Sequence, residues 1–422
     1  MKKKAGINLI VIGLLASTAV VGCGSASNTG TGSSGNSGSG SSPVTLKLGM
    51  WASSPAEKQL VDEQIAAFEK ANPNIKVKTQ VVTGSYLQAM QPMLASHTAP
   101  DIFYVDASYA PTLESSGALM PLDSYIKKAN IDTKDFAPAA LKAFQWKGST
   151  YGLPKDINTM ALEYNKDLFA KAGITAPPAT WDEFQKDAEL LKAKHIVPLS
   201  MPIDVARYYP FVTDFGGSYY DVSANKVTFT NAANEKGLAF YMDNMKNKNI
   251  VAPKDLGGDW AGIPFSQGKV AMVAEGAWVI PFLKQSAPNL QYGIAPFPAE
   301  NGKAGNMTYT VSYSMAKATK HPNAAAKLLF FMTGKEAQKM TADSGLAIPS
   351  RISQQSAFLQ KKPAYKAFVD GEKEAIPYQF GTYGQNFVDA INKATEAGVL
   401  QGMAPSKVLS QAQQTLDSQA NQ

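Results

Sequence analysis

The chain of 422 residues has one cysteine, Cys23, two arginines, Arg207 and Arg351, and three histidines, His97, His195 and His321. One thiol excludes an internal disulfide framework and any zinc site built from several cysteines. The histidines are scattered, in loop-like or helix-end contexts, and form no ligand-spaced set. The sequence also lacks a phosphate-cradling P-loop, a G-x-G-x-x-G opening a helix, a G-x-S-x-G elbow and an H-E-x-x-H pair. No metal or cofactor is implied, and the chain reads as a non-enzyme. Paired carboxylates, which any fold can bring together, keep a glycosidase as the enzymatic alternative. The formal charge is +6, and Lys2, Lys3 and Lys4 supply half of it. A chain starting at Cys23 keeps 37 of the 40 basic residues against 34 acidic ones. With no basic block beyond residue 4, nucleic acid is not a partner.

What is present begins at the N-terminus. Three lysines precede the apolar run "AGINLIVIGLLASTAVVG", which ends in small residues at Cys23. This is the layout of a secretory signal peptide over residues 1–22. A retained transmembrane helix is the alternative. Against it stand the diluting Asn8, Gly13, Ser17 and Thr18, and the lack of a positively charged stop. "VVGC" (Val20–Cys23) resembles a bacterial lipobox, which implies that the Cys23 thiol receives a diacylglycerol and becomes the new N-terminus. Residues 24–42 hold eight Ser, six Gly and no charge. Such a segment is a flexible coil with a root-mean-square reach of roughly 25 Å. Residues 23–43 thus read as a lipidated cysteine and a tether.

From Pro43 the sequence alternates strand and helix signals. "VTLKLGMW" reads as a strand, followed by a helix with Ser54 as N-cap, Pro55 in the first turn and Glu57 completing a capping box. "IKVKTQVV" and "DIFYVD" read as strands, the second as a buried one. "TMALEYN" is a further strand, and Thr180 with Glu183 predicts a capped helix. "GKVAMVAEGAWVIPFLKQ" reads as strand, loop and short helix. Thr333 and Glu336 predict a cap that restarts the helix of residues 322–340. Residues 363–422 read as mostly helical. The alternation implies an α/β fold.

In α/β sheets, ligands bind beyond the carboxyl ends of strands. Several aromatic and polar residues fall at such places: Trp51, Asp106, Asp156, Asn158, Arg207 with Tyr208 and Tyr209, Glu275 and Trp278. Aromatic faces pack on the C–H faces of sugars, while carboxylates, amides and arginine take the hydroxyls. Core packing is the competing role for each aromatic residue.

"FEKANPNIKV", "APDIFYVD", "SSGALMPLD", "YGLPKDINTMALEYNKDLFAKAGITAPPATWDEF", "GKVAMVAEGAW" and "GIAPFP" occur in that order. Together they resemble the extracellular solute-binding proteins of ABC importers, in the carbohydrate-binding group with the maltose- and maltodextrin-binding proteins. The resemblance covers roughly residues 44–415. It implies a two-lobed periplasmic-binding-protein-like α/β fold, each lobe a mainly parallel sheet flanked by helices, with a hinge between. The lobes are expected at 44–156 plus 314–347 and at 157–313 plus 348–422. Crossings are expected near Asp156–Asn158, Thr308–Ser314 and Ala347–Arg351. The resemblance implies substrate contacts at Trp51, Asp106, Asp156, Asn158, Tyr209, Glu275, Trp278, Tyr313, Arg351 and Tyr383, beside Arg207 from the reading above. Its partners are then a carbohydrate such as maltose or maltodextrin, the permease subunits of an importer, and a membrane held through acylated Cys23. The protein is expected as a monomer on the outer face of a cell membrane, or in a periplasm if the cell has two membranes. The uncharged leash favours the former. Three rivals stand beside this reading: a phosphorylated sugar or polyol, ferric ion held by the adjacent tyrosines 208–209 or 219–220, and a lipid-anchored glycosidase.

Overall fold

The alternation of Leu46, Leu48 and Met50 with polar neighbours makes β1 (Val44–Met50) a strand, and all three side chains are buried. This computed structural model describes residues 43–52, 55–221, 224–300 and 305–420. Cys23, the expected signal peptide, the expected tether up to residue 42 and the expected Ser54 cap lie outside them. α1 (Pro55–Ala71) buries one stripe, Leu60, Val61, Gln64, Ile65 and Phe68, against the sheet and its neighbours. β2 (Ile75–Val81) pairs parallel to β1 along its whole length. β3 (Ile102–Asp106) pairs parallel on the other side of β1, and its first four residues are buried. β4 (Gly152–Pro154) completes the passage through this half of the molecule.

The chain then enters a second sheet with β5 (Met160–Asn165). α2 (Trp181–Lys192) is capped by the Thr180 hydroxyl, which accepts from the Glu183 amide (3.2 Å), while Glu183 accepts from the Ala179 amide (2.7 Å). β6 (Val197–Ser200), α3 (Val205–Asp214), β7 (Ile250–Val251), β8 (Val270–Gly276), α4 (Val279–Ser286) and β9 (Tyr292–Ala295) follow. β10 (Asn306–Thr308) leads back to the first sheet through β11 (Val311–Met315). α5 (Pro322–Met332) and α6 (Lys335–Ser344) pack behind it. The predicted Thr333 cap is not made: its hydroxyl donates to the Leu329 carbonyl oxygen (2.9 Å), and Gly334 takes the cap position. A short strand within the predicted helical tail, β12 (Ala375–Pro377), pairs with β10. α7 (Gly384–Gln401) and α8 (Pro405–Ala420) close the chain. No described helix is long and apolar enough to cross a membrane.

The strand orders are β2-β1-β3-β11-β4 and β7-β6-β8-β5-β9. Each sheet is mainly parallel, with one strand reversed: β11 runs antiparallel to β3 and β4, and β5 antiparallel to β8 and β9. The cause is the crossing. β5 and β11 start at the edge where the parallel strands end, so they must run away from it. Each sheet has its own apolar core. A third cluster, with Ile157, Ala161, Ile348 and Phe368, packs where the chain crosses.

One buried charge-bearing group in the first lobe makes a measurable prediction. Glu114 is buried with neither carboxylate oxygen hydrogen-bonded, and burial pushes its pKa up to about 8. The unfolded chain releases this proton near the usual glutamate value of about 4.3. Between those values the native state holds more protons, so stability falls as pH rises through the window. In Glu114→Gln the fall is shallower, as urea unfolding in mildly acidic, neutral and mildly alkaline buffer will record.

Candidate functional site

The ends of β1, β3 and β4 lie at one edge of the first sheet, and those of β6 and β8 at one edge of the second. Pro154 at the first edge and Met160 at the second are separated by residues 155–159, which span at most about 18 Å. The two carboxyl edges therefore face each other across the crossing. Residues near three sequence-distant positions meet there. The Lys155 amide donates to the Val311 carbonyl oxygen (2.8 Å), and Ile157 to that of Ile348 (3.1 Å). Asn158 and Tyr309 exchange both backbone bonds (2.8 Å each). Gln338, fully buried, donates to the Lys155 carbonyl oxygen (2.6 Å) and accepts from the Ser350 amide (2.7 Å).

On the second edge, Glu275 is the last residue but one of β8 and is 1% exposed. Its Oε2 accepts from Arg207 Nε (3.1 Å) and Trp278 Nε1 (3.2 Å), and forms an ion pair with Arg207 Nη2 (3.1 Å). Arg207 lies on α3, which Asp204 caps by accepting from the Ala206 amide (3.0 Å). The guanidinium stands over the rings of Trp278 (5.1 Å) and Tyr309 (5.7 Å). The Gly-x-Trp spacing has a steric reason: a Cβ on Gly276 would come within 2.2 Å of the Trp278 ring, so only glycine lets the indole fold back over the strand end. Burial opposes the Arg207 charge, but Glu275, Tyr309 and Asp204 outweigh it. Burial raises the Glu275 carboxyl, against the pull of Arg207. Glu163, on the neighbouring β5, is also buried and accepts from the Glu275 amide (3.2 Å). Burial and then the Glu275 charge push its carboxyl well above the usual range.

On the first edge, Trp51 packs edge-on against Tyr86 (4.8 Å) and Tyr104 (4.9 Å). Asp106 accepts from the Ser108 amide (2.9 Å) and hydroxyl (2.6 Å). Burial raises its carboxyl, the Ser108 bonds oppose this, and Asp156 adds to the rise. Asp156 is buried and pairs with Lys155, which also pairs with Glu57 (3.5 Å) and stands over the Tyr104 ring (4.9 Å). Asn158 sits in the crossing with its side-chain carbonyl oxygen buried and unbonded.

Two residues absent from the sequence-derived set link these edges. Tyr309 donates its hydroxyl to the Ala206 carbonyl oxygen and packs on Tyr378 (5.4 Å). Burial raises the Tyr378 phenol well above its usual value, and the charges of Asp204 and Asp106 add to the rise. Tyr378 is therefore within electrostatic reach of both edges. Tyr309 was findable as an aromatic inside the "TYTVSYS" crossing; Tyr378 carried no local signal.

Other predicted contacts are turned inward. Tyr209 is 1% exposed, donates to or accepts from Ser218 (3.4 Å), and packs on Tyr219 and Phe380. Tyr313 is 2% exposed and packs on Tyr104 (5.2 Å), because alternate residues of β11 point into the first core. Arg351 is 5% exposed and pairs with Asp135 (3.1 Å), donates to the Thr333 carbonyl oxygen (2.7 Å), and stacks over Phe136 (4.2 Å). These three hold the interior rather than face the cleft. Tyr383 is half-buried at the start of α7 and packs against the second core.

Residues 51–339 match the model of a family described as bacterial extracellular solute-binding protein. An arabinooligosaccharide-binding protein of Bacillus subtilis is 25% identical over 350 residues, 79% of this chain and 77% of that protein. Among solved structures, an ABC substrate-binding protein of Listeria monocytogenes in complex with cycloalternan superposes with a TM-score of 0.81 at 23% identity, covering 90% of this chain and 99% of that one. The GacH receptor of Streptomyces glaucescens, solved unliganded and with acarbose, gives 0.78 at 25% identity, covering 90% and 98%.

Proposed function

The chain belongs to the family of bacterial extracellular solute-binding proteins, and on that premise we propose that it captures an oligosaccharide between its lobes and delivers it to the permease of an ABC importer. The observation that carries this is the Trp278 indole, fixed by Glu275 and Arg207 at one carboxyl edge, opposite Trp51 and Asp106 at the other. An aromatic platform with hydrogen-bonding groups around it is what a sugar ring requires. The process is reversible binding without turnover. The closed form is favoured only by as much as the sugar binds it better than the open form.

Charge supports a neutral ligand. Among the described residues, Arg207 and Lys155 at the cleft are each engaged by carboxylates, which disfavours a phosphorylated sugar or polyol. Ferric ion is disfavoured because Tyr208, Tyr209 and Tyr219 are buried and burial raises their phenols. The lobes are taken as 44–156 plus 314–347 and 157–313 plus 348–422, except that residues 311–313 go with the first lobe, because β11 pairs with β3 and β4 there. Acylation of Cys23 after removal of residues 1–22 would tether the body to the outer face of a membrane, as a monomer beside its permease. Mass spectrometry of the membrane-extracted protein tests the acyl group.

A thermal-shift panel tests the ligand class. A ligand bound only by the native state stabilises it by about 2.7 kcal/mol at a hundredfold excess over Kd. Neutral oligosaccharides should raise the midpoint, while a glycerol phosphate and ferric citrate should not. A shift with the phosphate alone would overturn the neutral-sugar reading.

A further inference from the structure

Between β12 and α7, three successive side chains go to three places. The Tyr378 ring packs on Tyr309 at the candidate site (5.4 Å). Phe380 is 1% exposed and stacks on Phe387 of α7 (3.7 Å), inside the second core. Gln379, between them, reaches the other lobe. Its side-chain amide donates to the Ala143 carbonyl oxygen (2.7 Å) and to that of Ala107 (3.4 Å). Ala107 directly follows Asp106 at the end of β3, and the Ala143 side chain lies in the first core. A second tie lies close by, from the Thr112 hydroxyl to the Thr382 carbonyl oxygen (3.4 Å). The segment passes this narrow place on two glycines with positive φ, Gly381 (58°) and Gly384 (49°). A Cβ on Gly384 would stand 3.0 Å from the Thr112 hydroxyl.

We propose that Gln379 is a closure latch, a positioning residue that ties the two lobes together beside the ligand without touching it. The proposal rests on the sugar-capture reading. Its backbone neighbours Tyr378 and Phe380 are anchored to the second lobe, so the Gln379 amide can reach Ala107 and Ala143 only while the lobes are close. When the lobes part, water takes those two carbonyl oxygens. The bond thus exists in one state and not the other, which is the condition for it to shift the equilibrium. One such neutral bond corresponds to about a three- to tenfold change in population.

The test compares the wild-type chain with Gln379→Met, which keeps length and removes the donor, and Gln379→Lys, which restores a donor for carbonyl oxygens. Small-angle scattering of the ligand-free proteins reads the lobe separation, and calorimetry reads maltotriose affinity. We expect Gln379→Met to expand, with its thermal unfolding still cooperative, and to bind maltotriose about three- to tenfold more weakly. Gln379→Lys should recover part of both. Identical scattering of wild type and Gln379→Met overturns the latch, and so does an expansion that Gln379→Lys leaves unchanged. The scattering arm needs no sugar, so it decides the latch even if wild type gives no heat with maltotriose. That result would count against the sugar reading alone.

Discussion

Trp278→Ala should weaken oligosaccharide binding by about a hundredfold in calorimetry, while the ligand-free protein unfolds at nearly its original midpoint. The indole is partly exposed just beyond β8, with its edge held by Glu275 and the Arg207 guanidinium over its ring. Covering about 100 Å² of apolar ring contributes roughly 2.5 kcal/mol, close to two decades of affinity. The ring fills no core, so its loss opens no interior cavity. Trp278→Phe separates the two roles of the side chain. It keeps a stacking face and loses only the Nε1 bond to Glu275, and its affinity should fall between those of wild type and Trp278→Ala. Unchanged affinity in Trp278→Ala would remove the platform from the proposed mechanism.

The second large effect is on stability. Arg207→Ala should destabilise the native state by about 3–5 kcal/mol, the usual cost of breaking a buried ion pair from one side. It leaves Glu275 buried without its counter-charge, beside the buried Glu163. The defect has a pH signature. Burial already raises the Glu275 carboxyl, and Arg207 is what opposes the rise. Without Arg207 the folded-state pKa climbs further above the unfolded value of about 4.3. The native state then binds more protons than the unfolded one over a wider range, and stability falls more steeply as pH rises. Denaturant unfolding in acidic and in neutral buffer should show the variant nearest to wild type in acid. The pair Arg207→Met with Glu275→Leu removes both charges and should recover much of the lost stability without recovering sugar binding. A variant equally destabilised at all pH values would show that packing, not the unpaired carboxylate, is responsible.

The two predictions touch the same three residues, which were also the ones most legible in the sequence. Gly276 and Trp278 are two positions apart, and their relation is local: the indole needs the glycine to fold back. Glu275 precedes them on a strand whose apolar run marks it as central. Arg207 could be named as one of two arginines, but its partner is 68 residues away, and no spacing connects them. The same limit explains the misassigned contacts. Tyr313 and Arg351 lie close to chain crossings, where aromatic and planar charged side chains suit a ligand. Which way each points depends on Tyr104, on Asp135 and on the strand register. Tyr209 sits two residues beyond Arg207, so the two side chains point to different sides of α3, one toward Glu275 and one into the core.

The sequence by itself determined the local elements: the strands, the Thr180 cap, the two strand-and-helix halves and the candidate positions at strand ends. Those follow from periodicity and short-range hydrogen bonding, which act within a few residues. Only the tertiary structure decided that Tyr309 and Tyr378 join the candidate site, that Glu163 lies buried behind Glu275, and that Gln379 reaches across to Ala107 and Ala143. Each of those facts depends on groups far apart in the chain, brought together by the crossings. A buried group's charge and direction are set by what surrounds it in space.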